Sequence, residues 1–380
     1  MYQAISARLA LSFLLSPIVN AQSRPAALMA VPDLRLGGSN APTPEQFSSI
    51  TLVAVSESGQ IAVMDGAERH LHLYSSGGAH LKVLGRPGTG PAEFQVVSAI
   101  GFFGDTIYAI DFGNRLIMML NTEGHELRRT PYSPANPRVS LGYLPAFPAV
   151  VLPNSSTIGK ATAVASLVRS GQLSREPVIR MTLSGSVLDT VLWVRAPVRR
   201  KPTKAVPLPV AQPFFDGDIV AFAPRLGLSV VVQRSVPARA TASRFAVTVV
   251  SPEGDTIFSR SLEYLPQRLT PTIIDEALQP LFNAGRSMGF SSADIRAAVV
   301  LPEFVPPVTK AIAGADGSVW LRRTLASSDH SVWWVLDRRG RLEGQVTLPA
   351  RVEILYATRR SLWARTDERN SPTLVRYSIR

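Results

Sequence analysis

Gly59 to Gly85 reads GQIAVMDGAERHLHLYSSGGAHLKVLG, and Gly104 to Arg129 reads GDTIYAIDFGNRLIMMLNTEGHELRR. The two stretches are one pattern written twice. Ile61 and Ile107, Asp65 and Asp111, Tyr74 and Leu120, and Gly78 and Gly124 are each separated by the same offset of 46 positions. A constant period of between roughly 40 and 50 residues, built from short apolar runs, is the signature of a β-propeller.

Working outward, each complete unit has four β runs. The first unit has Ile50 to Val55, Gln60 to Met64, Leu71 to Ser75 and His80 to Leu84; the second runs from Val96 to Arg129. Weaker copies follow. The third includes Val178 to Leu183 and Val187 to Val194, and the fourth runs from Asp218 to Leu262. The fifth runs from Ala311 to Leu348, and the last from Val352 to Ile379. Six third strands are present, but only five turn glycines follow them, at Gly78, Gly124, Gly185, Gly254 and Gly340. The last blade therefore lacks an outer strand. Near the start, Leu34 to Leu36 is a strand without a blade, and Leu36-Gly37 and Phe47 align with Leu84-Gly85 and Phe94. An N-terminal strand completing the last sheet would remove the open seam of the ring and its unpaired edges. The expected fold is all-β: a six-bladed propeller over residues 33–380, closed by an N-terminal strand and carrying a small helical insertion.

Two segments interrupt the ring. Residues 195–209 (RAPVRRKPTKAVPLP) are basic and Pro-rich, and read as an extended surface connection. Residues 269–304 are the helical stretch. Thr270 is a candidate N-cap before Pro271, and Ser291 with Asp294 forms a capping box. Pro280 argues against one uninterrupted first helix.

Bulk properties bound the function. Of 40 basic residues only five are Lys, and the net charge is +12. No basic run exceeds three residues, and no helix-turn-helix or zinc pattern occurs, so nucleic acid is not expected as a partner. The absence of Cys rules out disulfides and thiolate metal sites. Residues 1–21 carry Arg8, the apolar run Leu9 to Val19 and small residues at Val19 and Ala21, a secretory signal pattern. Residues 22–32 read as a leader without periodicity. Export to the periplasm or medium is expected, as a monomer, with no transmembrane segment after cleavage.

The loop Gly85-Arg86-Pro87-Gly88-Thr89-Gly90-Pro91-Ala92-Glu93-Phe94, followed by Asp111, Asn114-Arg115-Leu116 and Gly124, carries a resemblance. With Gly317 to Trp320 and Asp337 to Gly340, the chain resembles six-bladed β-propellers of the NHL and TolB-like type, especially secreted bacterial ones. That resemblance implies the fold. It leaves function open, because such propellers include enzymes, receptors and scaffolds.

Candidate chemistry is sparse. The Gly-rich loop precedes a strand, so it lacks the helix N-terminus a phosphate cradle requires. Asp65 and Asp111 recur at matched strand ends, which favours acceptance of backbone N–H bonds over calcium ligation. His70 and His72 share a strand face and could contribute to a zinc site. With His80, His125 and His330 they read instead as exposed strand residues, and neither HExxH nor G-x-S-x-G occurs. Alternation puts Trp333 and Trp334 on opposite faces, with Trp320 in a blade. The best surface candidate is the basic cluster Arg195, Arg199, Arg200, Lys201 and Lys204, suited to lipid headgroups, an anionic polymer or an acidic protein. The expected function is a non-catalytic binding or scaffold module without a cofactor. The alternative is a divalent-metal-dependent hydrolase, lactonase or lyase working at the central tunnel.

Overall fold

The sequence repeat is also a repeat in register. In the computed structural model, Ile61 pairs with Tyr74 and Asp65 with His70; at the offset of the repeat, Ile107 pairs with Leu120 and Asp111 with Leu116. The third-to-fourth strand ladders also slip at matched places, between Leu73 and Tyr74 and between Met119 and Leu120. The structure describes residues 25–135, 142–197, 203–206, 212–214, 217–234, 241–323, 329–368 and 371–380.

Six antiparallel sheets form the ring, and the chain is a six-bladed β-propeller. The innermost strands are Ile50–Val55, Val97–Phe103, Val150–Val151, Ile219–Phe222, Val308–Ala313 and Glu353–Ala357. Adjacent blades bury apolar side chains against each other, as Met64, Leu73 and Leu84 do against Ile107, Met118 and Leu120. One strand absent from the sequence reading is Ser156–Lys160 in the third blade. Its run, STIGK, holds a single large apolar residue. Its Gly159 is required by close approach, since a Cβ there would lie 2.1 Å from the Phe147 carbonyl oxygen.

Closure occurs where the counting places it. Ala30–Gly37 pairs antiparallel with Ser371–Ile379, with Leu34 opposite Arg376 and Leu36 opposite Leu374. Residues 27–28 and 30–32 lie in strands, which their lack of periodicity does not suggest. Ala27–Leu28 adds a parallel edge strand to the fifth blade, and Ala30 already belongs to the closing strand. Strand pairing supplies the order here, which side-chain periodicity does not register.

The five turn glycines all have positive φ, from 76° at Gly340 to 98° at Gly254. In each turn the glycine N–H donates to the carbonyl three residues earlier, on Ser75, Asn121, Thr182, Ser251 or Asp337. The side chain of that same residue accepts from the N–H four positions on, at 2.8–3.2 Å. Each turn therefore needs a short polar side chain three places before its Gly, the hydrogen-bonding habit of Ser, Thr, Asn and Asp.

Helix α1 (Ala165–Arg169) is a single turn within the third blade's connection. Helix α2 (Pro271–Ser287) starts at Thr270, whose side chain accepts from the Ile273 N–H, and runs unbroken through Pro280. Helix α3 (Ser292–Ala298) carries the reciprocal Ser291–Asp294 capping box. An interior proline costs about 3 kcal/mol. Burial of Ile273, Leu278 and Phe282 against Ile295 and Val299 offsets it. Val206 and Phe214, from the connection between the third and fourth blades, share that core. Gln212 ties the two insertions together, donating to the Ala298 carbonyl and accepting from the Val300 N–H.

Candidate functional site

Antiparallel order gives the ring two unlike faces. The connections from outer strand to next inner strand, and from second to third strand, lie where each inner strand begins. The long connections 133–149, 161–174, 196–218 and 265–307 each begin and end on this entry face. The opposite face holds only short turns.

The inner strands surround a tunnel of about 310 Å³ lined by all six blades, largely by Val, Ala, Ile and Leu side chains with Thr51 and Ser98 among them. The lining residue Lys310 belongs to a network of two cations and one carboxylate. Glu353 takes Lys310 at 3.2 Å and Arg365 at 2.5 Å, and Arg365 also donates to the Ile50 carbonyl at 2.7 Å. The network joins the fifth, sixth and first blades near the entry face, beside the closed seam. At the short-turn face, Arg225 of the fourth blade pairs with Glu57 of the first, across the ring. Tyr108 there donates to the Pro224 carbonyl at 3.3 Å. Burial pushes the Tyr356 phenol up to about 12 and also raises Tyr108, so neither exchanges a proton near neutrality.

The matched carboxylates serve the backbone. Asp65 accepts from the N–H groups of Ser48, Ser49, Ala67 and Glu68. Asp111 accepts from those of Gln95, Val96 and Asn114, and from the Asn114 amide. Each fastens the incoming inter-blade connection to a strand end. Among the described residues no group of three His, Asp or Glu is placed to hold a metal ion. The Gly85–Phe94 loop folds on itself: Glu93 accepts from the Gly90 N–H at 2.6 Å and from Arg86 Nε at 2.7 Å. The Gly90 bond, then Arg86, holds the Glu93 carboxyl below the usual range.

His125 and His330 are exposed as expected, but His72 departs from expectation. His72 is buried, not exposed, with its ring 5.0 Å from Phe47 and 5.9 Å from His80. Its strand lies in mid-blade, where both faces pack against neighbouring blades, so alternation gives no solvent side. Trp320 and Trp333 are also buried. Trp334 stacks on Arg323, whose guanidinium lies 4.0 Å from the indole centroid and within 5.6 Å of Phe245 and Tyr264. Burial lowers the Arg323 pKa to about 10. Sequence reading missed this aromatic box because its members come from two blades.

Of the basic cluster, Arg199, Arg200 and Lys201 lie outside the described residues. Arg195 is the last residue of an outer strand and clamps the base of the insertion. Its N–H donates to Asp218 at 2.8 Å, and its guanidinium reaches Asp218 and the Arg234 carbonyl. Lys204 is exposed. The signal pattern at residues 1–21 likewise lies outside the described residues. Among those described, no helix is long and apolar enough to cross a membrane.

With this geometry in view, comparison with solved structures finds the same architecture. A DUF4221 family member from Bacteroides vulgatus is similar over 93% of this chain and 98% of its own, with 10% identity and a TM-score of 0.52. What the likeness shows is the fold. BamB from Moraxella catarrhalis is similar over 92% of this chain and 99% of its own (10% identity, TM-score 0.35). Regucalcin, a calcium-binding protein from Agrobacterium tumefaciens, is similar over 93% and 96% (10% identity, TM-score 0.38). No family model and no curated protein matches the sequence. The resemblance drawn from Gly85 to Phe94 thus holds as architecture: a six-bladed β-propeller.

Proposed function

We propose that this propeller is an exported, non-catalytic binding module whose entry face receives an anionic polymer or an acidic protein. The observation that carries the reading is the contrast between the tunnel and that face. In the tunnel, the lining residue Lys310 is held with Arg365 on the single carboxylate of Glu353, and the remaining lining is mainly apolar. On the entry face, two insertions build a platform with its own core from Val206, Phe214 and the helical pair. The basic residues Arg199, Arg200, Lys201 and Lys204 belong to the same connection as that platform. The signal pattern at residues 1–21 supports export.

The test is salt-dependent retention on immobilised heparin, a polyanion probe. The variant R199E/R200E/K201E should elute at lower salt than the native chain with an unchanged circular dichroism spectrum. Identical elution would remove the basic loop from the function.

A further inference from the structure

The short-turn face carries a feature that the repeat does not require. In all five third-to-fourth strand turns, the fold dictates only a polar acceptor and the glycine three residues later. The positions one, two and four after the acceptor are free. In the fifth blade those positions are Arg338, Arg339 and Arg341, whereas none of the other four turns has a Lys or Arg at any of them. The neighbouring first-to-second strand turn of the sixth blade adds Arg359 and Arg360.

These five arginines border one depression of about 400 Å³ between the fifth and sixth blades. Its carboxylates are already engaged. Asp337 accepts from the Arg339 and Arg341 N–H groups and from Arg341 Nε at 2.7 Å. Asp316 accepts from Ser318 and from the Arg359 N–H at 2.8 Å, and Arg359 Nε pairs with Glu343 at 2.5 Å. The side chains of Arg338, Arg339 and Arg360 are exposed and have no partner among the described residues. Five guanidinium groups thus face three carboxylates around one concavity. Such like charges repel unless an anion enters.

We propose that this depression binds a small ligand through a phosphate or pyrophosphate group, held by Arg338, Arg339 and Arg360. A planar guanidinium offers paired N–H donors that match phosphate oxygens, and several converging on one hollow favour a multiply charged group. The two carboxylates in the lining position the surrounding turns without cancelling the charge. No apolar side chain lines the depression, so it lacks the anchors that a lipid-inserting surface uses. The site is on the face opposite the platform and does not depend on the function assigned to it.

The experiment is isothermal titration of the mature chain with sodium pyrophosphate, with sodium citrate and phosphatidylglycerol vesicles as parallel arms. Saturable pyrophosphate binding is expected, weakened at least about tenfold in R338A/R339A/R360A and unchanged in R128A, at an exposed arginine of the second blade. Thermal melts of both variants verify folding. No pyrophosphate binding by the native chain, or equal binding by the triple variant, overturns the proposal. Tighter binding of citrate than of pyrophosphate, or capture by vesicles without pyrophosphate binding, overturns it as well, by assigning the arginines to a carboxylate or a lipid surface.

Discussion

His72 shows how one buried side chain makes the stability of the ring depend on pH. Burial first, and then the nearby His80, pushes its imidazole down to about 4 from an ordinary 6.5. Between those values the unfolded chain holds a proton at this position and the folded chain does not. Stability therefore rises with pH across the window and falls as pH drops through it, by at most about 3 kcal/mol. Replacing His72 with Leu should flatten the dependence of urea-unfolding stability between pH 7 and about 4.5. An undiminished slope in the Leu variant would show that other groups control acid sensitivity. At this scale, the sequence displayed the turn roles of Asp65 and Asp111, because recurrence at matched strand ends signals backbone contacts. It did not display the burial of His72, which depends on what Phe47 and the neighbouring blade place over it.

At the scale of the element, the turn before each outer strand couples blades as well as strands. A Cβ at Gly78 would lie 2.6 Å from Leu34 of the closing strand, and one at Gly124 would lie 2.7 Å from Leu84 of the first blade. The closing strand thus presents a leucine to the next turn just as an ordinary outer strand does. At Gly185, φ is +95° and an added Cβ would sit 1.9 Å from the Ser133 carbonyl oxygen, a backbone atom that cannot step aside. Gly185→Ala should cost at least about 2–3 kcal/mol, from strain and overlap together. Gly104→Ala should cost only about 1 kcal/mol, since an alanine tolerates its conformation better and nothing lies within 4 Å of the added methyl. Chemical denaturation of the two variants separates the terms, and equal losses would show that contact with Ser133 contributes nothing. Elements whose stability comes from remote packing were harder to read. Pro280 argues for a break that burial of Leu278 and Phe282 overrides.

At the scale of the whole molecule, the ring is held shut by Ala30–Gly37 pairing with Ser371–Ile379. Leu36 is buried in a core with Phe47, Ile50, Tyr74, Trp363 and Leu374, which draws on both the first and the last blade. Leu36→Ala should lower stability by about 2–4 kcal/mol within a single unfolding transition. Hydrogen exchange should rise in Thr373–Ile379 and in the first blade together. Faster exchange confined to the closing strand would mean that the seam frays without opening the ring.

The sequence alone determined the period, the number of blades and the strand that closes them. These depend on spacings of a few residues, repeated, and on a count of missing strands that any reader of the chain can make. Tertiary structure alone decided which distant side chains meet. Lys310, Glu353 and Arg365 converge because ring closure brings the fifth and sixth blades against the first. Val206 and Phe214 join the helical pair because both insertions leave the same face. Arg338, Arg339 and Arg360 form one surface because two turns, remote in sequence from the repeat that defines the fold, are adjacent in space. Local pattern encodes hydrogen-bonded turns and strands; the charges and cores that make a site depend on packing between blades, which no single repeat contains.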